Sequence, residues 1–107
     1  MTTEVIYQLD KENNFRYISI KNHANYSEKG QDIVCAGISA ITNGTINFLY
    51  HYYKKCCRIS YQPTEVVISL TVINSNCQLC LRLMLYQLKN IANSHPAYLE
   101  IKKWKEE

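Results

Sequence analysis

From Glu4 to Asp10 apolar and polar side chains alternate, with Val5, Tyr7 and Leu9 on one face and Ile6 and Gln8 on the other. A period of two is the pattern of a half-buried β-strand. The turn-like "DKENN" follows, and Phe15 to Asn22 alternates again, so the two runs predict a β-hairpin. Beyond a polar loop, His23 to Gln31, the spacing becomes helical. Val34, Ile38, Ile41, Thr45, Phe48, Leu49 and Tyr52 recur on one face of a helix predicted to run to about Lys54, with Asp32 as its N-cap. Gly37 and Gly44 lie inside it, each about 1 kcal/mol less favourable there than alanine. With Ala36 and Ala40 they form a strip of small residues, which predicts a closely packed neighbour.

"CCRISYQP" predicts a short strand ended by Pro63, and the β-branched run Glu65 to Ile73 predicts a central strand. Asn76 is the expected cap of a second helix, whose stripe is Cys77, Cys80, Leu81, Met84, Leu88 and Ile91 and which "NSHP" stops. Tyr98 to Lys103 makes a last strand. The predicted order is β-β-α-(β)-β-α-β. That order describes an α+β, two-layer domain: two long helices packed on a four- to five-stranded sheet, in a single domain over residues 1–107.

Composition fits this picture. The chain is 47% hydrophobic and 20% charged, with a formal net charge of +3, too slight to argue for nucleic acid or an acidic partner. "MTTEVIYQLD" lacks the basic and apolar regions of a secretion signal. No apolar run is expected to span a bilayer, which takes about 20 residues. Five cysteines without a sign of secretion predict free thiols and a reduced, cytoplasmic protein.

Chemistry concentrates in "KNHANYSEKGQDIVCAGISA", Lys21 to Ala40. Behind an Asp32 cap, Cys35 would be the third residue of the helix, where unpaired amides and the helix dipole favour the thiolate. His23, in the loop before, could hold or take its proton. Spacing alone leaves this weaker than the ordinary alternative, a buried structural cysteine and a solvated histidine. Ser39 lies one turn further along the same face. Cys77 and Cys80 form a C-x-x-C, and with Cys56 and Cys57 they raise a zinc or redox reading. Against it, Cys77 and Cys80 fall on the apolar stripe of the second helix, the adjacent Cys56 and Cys57 are an awkward chelate, and neither pair has a knuckle glycine. The tail "IKKWKEE" and the tyrosines of "LYHYYKK" suggest only weakly any contact with RNA, and no direct nucleic acid binding is expected.

The run "NHA", then "NYSEKGQ", then "DIVCAGISA" closely resembles the signature of the Prp family of ribosomal-processing cysteine proteases. In that family Gly-His-Ala precedes a loop ending in glycine, followed by Asp-Ile-Val-Cys-Ala-Ala-Val-Ser-Ala. The motif covers about 20 residues, and element order and length match over nearly the whole chain. The resemblance implies an endopeptidase that removes the N-terminal extension of a large-subunit ribosomal protein, cutting after a hydrophobic, Phe-rich segment. It also implies a homodimer, cytoplasmic and away from membranes, working without metal or cofactor. On matching positions, Cys35 would be the nucleophile and His23 the general base. Asp32 and Ser39 would support them, and Asn22, Ala24 and Gly30 would belong to the substrate loop. Asn22 departs from the family's glycine, which matters if the position needs a positive φ or a close approach of the substrate. The rival classes are a non-catalytic, ribosome-associated binding protein of the same fold and a thiol-based metal or redox module.

Overall fold

The computed structural model describes residues 2–22 and 29–104, with residues 29–32 described by backbone alone. Its elements are β1 (Thr3–Leu9), β2 (Phe15–Lys21), α1 (Lys29–Tyr52), β3 (Cys57–Tyr61), β4 (Glu65–Leu70), α2 (Ser75–Ser94) and β5 (Leu99–Lys103). They build a five-stranded sheet in the order β3-β4-β2-β1-β5. β1/β2, β2/β4 and β3/β4 pair antiparallel, and β5 joins β1 in parallel. Every expected element is present, and β2, rather than the β-branched β4, is the middle strand.

The register explains the core. Val5 opposes Ile20, Tyr7 opposes Ile18, and Ile20 and Ile18 in turn oppose Val66 and Ile68 on β4. A bulge at Gln8/Leu9 brings Leu9 opposite Phe15, so Phe15 shares the face of Ile18 although the two are an odd three positions apart. This face packs with Val34, Ile38, Ile46 and Leu49 of α1 and Leu81, Met84 and Leu88 of α2 in one buried cluster. Two helices thus cover one side of the sheet.

Four details depart from expectation. Asn74, not Asn76, caps α2: its side chain accepts from the amides of Asn76 and Cys77, both at 3.0 Å. Asn76 is already helical. Along α1 the buried stripe turns toward Thr42 and Ile46, and Phe48 and Tyr52 are 43% and 64% exposed. Thr42 and Ile46 lie outside the stripe read from the sequence. The strip of small residues meets little. A Cβ on Gly37 would touch Ile91 Cδ1 at an ordinary 3.5 Å, and one on Gly44 would find nothing within 4 Å. Finally, Ile33–Tyr52 is long and apolar enough by length and composition to cross a membrane, which was not expected. In this fold it is a helix of the core layer.

Candidate active site

The candidate cysteine is carried by α1, which begins at Lys29, four residues earlier than Asp32 as a cap would have it. Asp32 therefore lies in the helix and is not its N-cap. Gly30, expected in the loop, is also helical. Nothing in Lys29-Gly30-Gln31 stops the helix from extending backwards, since none of the three is proline and a glycine is tolerated near a helix end. Cys35 moves from the first turn to the second, so its own amide is taken up by the helix ladder. The unpaired amides belong to the turn above it. Helical side chains lean toward the N-terminus, which carries the half-buried Cys35 thiol back toward that turn. His23 and Ala24 lie outside the described residues.

Beside Cys35 the wall of the site is well defined. Ser39, one turn on, is exposed and lines a cleft between α1 and the β3–β4 hairpin. Thr42 and Asn43 continue that wall, and Gln62, Pro63 and Thr64 face them from the hairpin. The Tyr61 hydroxyl donates to Asn43 Oδ1 at 2.8 Å and ties the edge strand to the helix. Asn22, directly after β2, also lines this cleft. Its amide donates to the Thr64 carbonyl at 2.8 Å, and its Oδ1 accepts from the Thr3 hydroxyl at 2.7 Å. Among the described residues other than glycine, only Asn13 has a positive φ. Asn22 thus answers half of the question raised by the missing glycine: backbone conformation does not demand glycine here, and its side chain is held aside by Thr3.

The other cysteines form a separate group. Cys77 is fully buried, and burial, followed by the nearby Cys57, Cys56 and Cys80 thiols, pushes its pKa up to about 12. Burial is also the main cause of the upward shifts of Cys57 and Cys80. Cys57 donates to the Tyr53 carbonyl at 3.6 Å. Raised thiols are poor nucleophiles and poor ligands. Among the described residues no three of His, Cys, Asp and Glu are grouped as a metal site requires. Cys77 belongs to the buried core and Cys80 packs against it, in line with the apolar stripe of α2.

Residues 1–100 match the family described as "Cysteine protease Prp". The ribosomal processing cysteine protease Prp of Mycoplasma genitalium is 34% identical over 89 residues, 79% of this chain and 85% of that protein. The Staphylococcus aureus (NCTC 8325) protein of the same name is 31% identical over 81 residues, 73% and 76% of the two chains. The crystal structure of S. aureus Prp in complex with a substrate peptide superposes with a TM-score of 0.86 at 25% identity, covering 96% of this chain and all of that one. A second S. aureus structure holds a covalently linked product peptide and superposes at 0.84 with 26% identity.

Proposed function

The chain belongs to the Prp family of cysteine proteases, and from that premise we propose that it removes the N-terminal extension of a large-subunit ribosomal protein by cutting after a hydrophobic, Phe-rich segment. The observation that carries this reading is the position of Cys35. Cys35 lies on α1 one turn before Ser39, which lines the cleft, and His23 precedes α1 in the chain. A covalently linked peptide in the S. aureus relative supports an acyl-enzyme route.

The peptide enters extended along the cleft, where Cys35 is the nucleophile and His23 its base. His23 takes the thiol proton, and the thiolate attacks the scissile carbonyl. The free amides of the first turn of α1, together with the positive end of its dipole, stabilise the oxyanion. His23 then protonates the leaving amine, and water releases the acyl group. Asp32 and Ser39 support the pair, and Asn22, Ala24 and Gly30, the last in the first turn of α1, belong to the substrate-binding side of the site. The enzyme acts in the cytoplasm as a homodimer. Leu79, Leu83 and Tyr86, each at least 60% exposed on α2, supply apolar surface for the second copy.

Incubation of the purified protein with a peptide carrying the extension of the organism's own ribosomal protein, read by mass spectrometry, tests this. One cut after the aromatic segment is expected. Binding without any cut would instead establish a non-catalytic partner of the same fold.

A further inference from the structure

We propose that Thr3 is a positioning residue for the cleavage reaction: its hydroxyl, acting through Asn22, fixes the point from which the chain goes on to His23. The inference rests on the protease reading above and adds to it a residue outside the family motif.

The ladder between β1 and β2 ends at Glu4 and Lys21. The next cross-strand pair would be Thr3 and Asn22, and there a side-chain bond takes over. The Thr3 hydroxyl donates to Asn22 Oδ1 at 2.7 Å. Thr3 is a firm anchor: it is 4% exposed, it opens β1 opposite Leu99 of β5, and its amide donates to the Tyr98 carbonyl at 2.9 Å. On the other side, the Asn22 amide donates to the carbonyl of Thr64, the residue that leads into β4, at 2.8 Å. Asn22 is thus held by its side chain and by its backbone, from two different parts of the sheet.

The place of this anchor ties it to the chemistry. His23 follows Asn22 directly in the chain, and Asn22 lines the same cleft as Ser39, which is one turn of α1 beyond Cys35. A general base works only within hydrogen-bond reach of its proton, and small displacements of a reacting group cost rate. A glycine in place of Asn22, as in the family signature, would keep the amide bond to Thr64. It would offer the buried Thr3 hydroxyl nothing and would add backbone freedom next to the histidine. In this chain Thr3 and Asn22 work as a pair, and the family's glycine is not an equivalent residue.

Steady-state kinetics on the extension peptide, with melting temperatures alongside, test the pair. Thr3→Val keeps the shape and removes the hydroxyl. Thr3→Val and Asn22→Gly should each lower kcat about three- to tenfold, the worth of one hydrogen bond, with KM within about twofold. The double variant should be no slower than the slower single one, since both changes break the same bond. Thr3→Ser keeps the donor and should hold kcat within about twofold of wild type. Wild-type kcat in Thr3→Val or in Asn22→Gly overturns the proposal, whatever the melting temperature does. So do losses that multiply in the double variant, or a change carried by KM alone. In each of these outcomes the wild-type protein still cuts, and the protease reading stands. A wild-type protein that leaves the peptide intact overturns that reading and this inference with it.

Discussion

Cys35→Ala is expected to reduce peptide cleavage by more than about 10⁴-fold, the loss typical when a covalent nucleophile is removed. Cys35 is half-buried, so the lost thiol should change stability by no more than about 1 kcal/mol, and the far-UV circular dichroism should be unaltered. His23→Ala is the sharper half of the experiment. With α1 starting at Lys29, Cys35 stands one turn below the free amides, and the dipole's influence fades within the first turn. The helix then supplies less of the thiol's activation than a first-turn cysteine would receive, and the imidazole must supply more. His23→Ala should therefore lose nearly as much as Cys35→Ala. Wild-type rates in Cys35→Ala would remove this cysteine from the mechanism. Strong residual activity in His23→Ala at neutral pH would return the activating role to the helix.

What the sequence disclosed, it disclosed unevenly. Alternation at Val5-Tyr7-Leu9 and the β-branched Val66-Val67-Ile68 marked the strands, because strand burial follows side-chain chemistry residue by residue. Helix bounds were less visible. Asn74 and Asn76 are the same residue type two positions apart, and only the backbone decides which one lies outside the helix to accept from the amides beyond it. Asp32 resembles a cap, yet the chain is helical before it. Two buried polar residues, Thr42 and Gln78, stand outside the helical stripes read from the sequence. Around the candidate site, spacing alone left Cys35 ambiguous, and only the resemblance of "DIVCAGISA" after "NHA" assigned it a role. Asn22 needed coordinates, since neither its φ nor its bond to Thr3 follows from its neighbours in sequence.

Gln78→Ala should be the most destabilising single change outside the hydrophobic core. Gln78 is 6% exposed and joins α2 to the start of β2 through a matched pair of bonds: the Phe15 amide donates to its Oε1 at 2.6 Å, and its Nε2 donates to the Phe15 carbonyl at 2.9 Å. Phe15 sits at the bulge, where the strand ladder is interrupted, so no strand neighbour replaces these bonds. Alanine leaves two buried backbone groups unpaired at about 1–3 kcal/mol each, against a total stability of roughly 5–15 kcal/mol. A loss of about 3–4 kcal/mol is expected in urea denaturation. Gln78→Glu separates the bonds from the packing. A protonated carboxyl can accept from the amide and donate to the carbonyl as the glutamine does, whereas a carboxylate faces the carbonyl as a second acceptor and is buried besides. Both effects raise the folded-state pKa of the introduced carboxyl above its unfolded value of about 4.3. The folded protein then binds more protons than the unfolded one, and stability relative to wild type falls as pH rises. The variant should match wild type below about pH 4 and approach Gln78→Ala near pH 7. A deficit that is the same at both ends of that range would mean that the side chain's shape, not its pair of hydrogen bonds, holds the hairpin to α2.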